Sequence, residues 1–71
     1  MPTQIVMDRS GDTRHEFDAD NAAAGERRFR ELTVRGFTAI ALGQKGEGNR
    51  VVRSFDPNIE RTLFIPQLEG G

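Results

Sequence analysis

An α+β fold is predicted, with a single helix packed on a small mixed sheet in the order ββαβββ. Three observations predict it. Two short strand-like runs flank a glycine-bearing turn, one capped stretch carries apolar residues at helical spacing, and three further β-rich runs end in the consecutive apolar residues Leu63-Phe64-Ile65. A hairpin followed by a helix cannot bury either apolar face alone. The helix must therefore lie across one sheet face, and the later strands must join that sheet.

The first run, residues 3–8, alternates weakly around Ile5, Val6 and Met7, whereas residues 13–18 alternate clearly, with Thr13, His15 and Phe17 on one face. Between them Arg9-Ser10-Gly11-Asp12 is turn-rich, and a hairpin loop with a bulge at Gly11 is expected. Asp18-Ala19-Asp20-Asn21 supplies N-cap candidates and places acids at the positive end of a helix dipole, so a helix is expected over residues 19–35. Ala22, Gly25, Phe29 and Leu32 fall at spacings of three, four and three and draw one narrow stripe toward the sheet. Gly36 stands where a left-handed residue closes a helix, with Phe37 placed to pack back on Leu32.

Residues 37–42 read as a third strand, 43–49 as a flexible loop of glycine and polar residues, and 50–55 as a return to β character. Asp56-Pro57-Asn58 is a turn with proline at its second position, and residues 60–65 form the last strand. With Leu63, Phe64 and Ile65 consecutively apolar, that strand is expected to be central and covered on at least one face. Laid parallel to the first strand, it gives a β-grasp arrangement. Pro66 cannot donate to a ladder, so residues 67–71 are expected to leave the sheet as an extended tail.

Seventy-one residues make one domain, residues 1–71, with a small core carried by five Phe and neither Trp nor Tyr. The absence of cysteine removes disulfides, thiolate metal sites and cysteine nucleophiles together. No apolar run approaches the length of a membrane span, and Met1-Pro2-Thr3-Gln4 begins neither a signal nor a transit peptide, so a cytoplasmic protein without a membrane partner is expected. A net charge of −1 argues against nucleic-acid binding, which needs a positive surplus. Charge is nonetheless uneven: residues 1–20 carry −3 and residues 21–35 carry +2. Nine of the ten cations are Arg, with Lys45 the exception, in keeping with a GC-rich coding bias.

Enzymatic chemistry finds no foothold. His15, the one histidine, shares a strand face with Phe17 and reads as structural, and neither cysteine nor a second histidine exists to complete a zinc site. Ser10 and Ser54 lack the strand–turn–helix setting of a hydrolase nucleophile. The glycines of 43–48 match no phosphate-binding spacing and precede no helix. Neither metal nor cofactor is expected. Arg27, Arg28, Arg30 and Arg35 form a candidate patch for an acidic partner, set against a solvated face on which Glu31 pairs with Arg27 or Arg35.

The remaining candidate is the end of the sequence, Thr62-Leu63-Phe64-Ile65-Pro66-Gln67-Leu68-Glu69-Gly70-Gly71. Two residues without Cβ atoms can thread through a narrow cleft and present the Gly71 carboxylate for activation. In Leu63, Phe64, Ile65, Pro66, Leu68, Gly70 and Gly71 the chain resembles ubiquitin-like β-grasp proteins, especially the sulfur carriers of molybdopterin and thiamin synthesis; Glu60-Arg61-Thr62-Leu63 is also similar to the strand that precedes ubiquitin's tail. The resemblance implies an ATP-dependent activating enzyme as partner. It implies a thiocarboxylate at Gly71 for a carrier, or a thioester and then an isopeptide bond for a modifier. The alternative is a small non-catalytic protein–protein interaction domain, binding through an edge strand or the arginine-bearing helix face, with an incidental diglycine.

Overall fold

A computed structural model describes residues 1–43 and 46–66. Strands β1 (Thr3–Asp8) and β2 (Gly11–Glu16) form the hairpin, a 3₁₀ turn over Ala19–Asn21 leads into helix α1 (Ala22–Val34), and β3 (Thr38–Ala41), β4 (Arg50–Val52) and β5 (Arg61–Ile65) follow. The sheet order is β2-β1-β5-β3-β4. β5 is central, parallel to β1 and antiparallel to β3, as its two apolar faces require. One helix on a five-stranded mixed sheet is the predicted α+β arrangement, β-grasp-like in its order.

Two local expectations are corrected. The hairpin carries no bulge: its register runs unbroken from Thr3 opposite Glu16 to Asp8 opposite Gly11, across a turn at Arg9 and Ser10. The turn is held from Asp8, whose carboxylate accepts from the Ser10 backbone N–H at 2.8 Å and hydroxyl at 2.6 Å, bonds that hold its pKa below the ordinary value. The helix also starts later than expected. Asp18 caps the 3₁₀ turn instead, its Oδ1 accepting from the backbone N–H groups of Asp20 and Asn21 at 3.0 Å.

The helix end is a Schellman motif. Gly36 takes φ of 100°, its N–H reaches the Thr33 carbonyl at 3.1 Å, and the Phe37 N–H reaches that of Leu32 at 3.0 Å. From the middle of the helix, Gly25, Phe29 and Leu32 are buried. Gly25 is there because Phe17 lies on it: a Cβ at that position would stand 3.0 Å from the Phe17 ring. The core gathers Val6, Phe29, Leu32, Ala39 and Phe64, with Phe37, Val52 and Phe55 packed against it. Phe29 meets Phe64 edge-on at 5.7 Å and Phe55 at 6.2 Å, and Phe55 also lies 5.6 Å from Phe17, so the 53–60 connection is pinned on the helix side of the sheet.

Candidate functional site

Strand alternation assigns two unlike faces to this sheet. On the helix side, Gln4, Val6, Ala39, Ala41, Thr62 and Phe64 are buried. The opposite face carries Ile5, Ile40, Leu63 and Ile65, half-buried by one another, and Val51, 59% exposed. Pairing sets four of these in one row across the sheet: Ile5 opposite Leu63, Leu63 opposite Ile40, and Ile40 opposite Val51, with Arg14 opposite Ile5 at the β2 end. The helix and the 53–60 connection lie on the other side, so no described element covers this row. This row is a contiguous apolar surface on a chain with 30% charged residues. The sequence held a signal for it. β1, β3 and β5 carry apolar residues at both parities, so they need cover on two faces, and one helix supplies only one.

The same face runs on to the C-terminal end of β5, where Ile65 pairs with Thr38 and Pro66 ends the ladder. Gly70 and Gly71, the predicted reactive residues, lie outside the described residues, as do the 67–71 tail and Gln44 and Lys45 of the predicted 43–49 loop.

The four predicted partner-binding arginines do not act alike. Arg27 and Arg30 are exposed on α1 and Arg35 is exposed at its C-cap. Arg30 stands 3.9 Å from Glu26, and among the described residues this is the i,i+4 ion pair that forms, rather than Glu31 with Arg27 or Arg35. Both side chains are largely exposed and the pair adds little stability. Arg28 instead turns toward the sheet, and its Nη1 donates to Gln4 Oε1 at 3.0 Å. Gln4, 1% exposed, donates from Nε2 to the Gly25 carbonyl at 2.9 Å. This amide ties the helix to β1 and satisfies its own buried polar atoms, as burial requires. Sequence reasoning missed it, because a glutamine in a weakly alternating strand carries no sign of which way it faces.

His15 stands opposite Gln4 on β2. Desolvation, reinforced by the positive charge of Arg28, pushes its imidazole below the ordinary value of 6.5. A histidine whose folded pKa is depressed resists protonation, so its contribution is intact above the unfolded value and lost as pH falls through the folded one. Thermal melts are therefore expected to drop in midpoint as pH falls below the ordinary value of 6.5, with the slope flattened in His15→Gln. An unchanged slope in that variant would remove His15 as the cause.

A polar groove of ≈ 430 Å³ opens between the start of β4 and the turn before β5, bordered by Glu47, Arg50, Asp56, Asn58 and Glu60. No group of three metal-ligating side chains assembles there or elsewhere among the described residues. No helix among them is long and apolar enough to cross a membrane. No protein family, curated protein or solved structure matches the chain.

Proposed function

We propose that the chain is a small ubiquitin-like protein whose diglycine carboxylate, at Gly71, is activated for sulfur transfer or conjugation. The observation that carries this reading is the place of β5, the middle strand of five, parallel to β1 and ended by Pro66. Ladders on both sides fix β5 within the sheet up to Ile65, five residues before Gly70 in sequence. A carboxylate is a poor electrophile. Attack on the α-phosphate of ATP would expel pyrophosphate and leave an acyl adenylate. Hydrosulfide attacking the acyl carbon then expels AMP and gives a thiocarboxylate, or an enzyme thiolate expels AMP and gives a thioester that an amine can open with release of the thiol. The chain supplies the carboxylate, a tail without bulk at its last two residues, and a compact body for the activating enzyme to hold.

Incubation with ATP and lysate from the source organism, followed by intact-mass measurement of the C-terminal peptide, tests the reading. Exchange of one oxygen for one sulfur identifies a carrier, and a covalent adduct identifies a modifier. An unaltered Gly71, together with full partner binding by a form lacking Gly70 and Gly71, overturns both. That second result is the one expected of a small interaction domain with an incidental diglycine, a reading favoured by the uncovered apolar face.

A further inference from the structure

We propose that the uncovered sheet face binds a second copy of this chain, forming a weak symmetric dimer in which two sheets pack face to face. The inference rests on the face alone and holds whether or not Gly71 is activated.

A second copy fits the order of residues in the row. It reads Arg14, Ile5, Leu63, Ile40, Val51 across β2-β1-β5-β3-β4, with Leu63 on the central strand and an isoleucine on either side. A two-fold axis running along β5 in the plane between two such faces lays Leu63 on Leu63 and each Ile5 on the Ile40 of the second copy. The same operation brings each Arg14 over Val51, where its aliphatic stem can cover an exposed side chain while the guanidinium reaches water. A self-complementary patch is what an isologous contact needs. The other in-plane axis, perpendicular to the strands, superposes Arg14 on Arg14 and is disfavoured.

Size sets the strength. Five strands at the usual spacing, about five residues long, give a face of roughly 400 Å², or roughly 800 Å² from both copies together. That is the low end of specific interfaces, so the dimer is reversible and forms at micromolar or higher concentration. One feature opposes it. Arg61 shares the open face, two residues before Leu63 on the central strand, and the axis brings its two copies together at the end of the sheet.

Sedimentation equilibrium of the intact chain from micromolar to millimolar concentration, with NMR shift mapping over the same range, tests the proposal. The mean mass is expected to rise toward twice the monomer, with shifts confined to Ile5, Ile40, Val51, Leu63 and their neighbours. Ile40→Lys is expected to abolish the rise. Val51→Glu, which faces Arg14 of the second copy at a solvent-exposed position that the fold does not need, is expected to tighten the dimer about fivefold, and Val51→Arg to loosen it by a similar factor. Arg61→Ser is expected to tighten it as well. A mass that stays monomeric at millimolar concentration overturns the proposal. So does a rise that Val51→Glu and Val51→Arg leave equal, or shifts that fall on α1.

Discussion

Phe64→Ala is expected to leave the chain unfolded at room temperature, giving a featureless circular dichroism melt with no cooperative transition. Phe64 is fully buried at the centre of the middle strand, between Val6 on β1 and Ala39 on β3. Phe29 of the helix meets its ring edge-on, so it joins the helix to the sheet as well as the strands to one another. Truncating a buried phenylalanine to alanine costs about 3–5 kcal/mol through lost transfer energy and the cavity left behind. A single unstapled core of this size supplies only about 3–5 kcal/mol in total. Its flanking residues cannot collapse into the space, because Ala39 and Ala41 are already the smallest side chains on the adjoining strand. Phe55→Ala serves as the control: that ring is half-buried on a connection, and its loss is expected to lower the melting midpoint while preserving a cooperative transition. If Phe64→Ala melts cooperatively near the parent's midpoint, the core is not organised around this ring.

The order of the elements and the central place of β5 were legible because each has a strong local or patterned cause. Gly36 and Phe37 end the helix through backbone geometry that sequence alone dictates, and Leu63-Phe64-Ile65 needs apolar neighbours on both faces. The bulge expected at Gly11 failed for a physical reason as well. A positive-φ glycine permits a bulge, but here it follows a tight turn that Asp8 and Ser10 close by themselves, and Gly11 keeps its place in the ladder with φ of 124°. The candidate site was less legible. The row Ile5-Leu63-Ile40-Val51 draws one residue from each of four strands, and it exists only through their register. Arg28 looked like its neighbours Arg27 and Arg30 because its partner, Gln4, lies twenty-four residues away.

Gln4→Leu is the second large effect, and its size turns on Arg28. Leucine fills nearly the same space, so little cavity follows, and the Gly25 carbonyl retains its acceptor role within the helix. What changes is the buried acceptor for Arg28. Deprived of Gln4 Oε1, its half-buried guanidinium must either stay partly desolvated or swing out and leave a gap beside α1. Stranding a buried polar or charged group costs about 1–3 kcal/mol, so Gln4→Leu is expected to destabilise the fold by about 2 kcal/mol in a urea titration. Removing both partners costs less than stranding one. The double variant Gln4→Leu/Arg28→Met is therefore expected to recover most of that loss, giving a coupling of about 2 kcal/mol in the cycle. His15 supplies an independent readout. Arg28 is one of the two causes that depress its pKa, so withdrawing the guanidinium moves the imidazole back toward 6.5 and narrows the window in which acid destabilises the fold. A double variant as unstable as Gln4→Leu alone, with the acid sensitivity of the parent, would mean that the buried amide acts through packing and that Arg28 contributes nothing to holding helix and hairpin together.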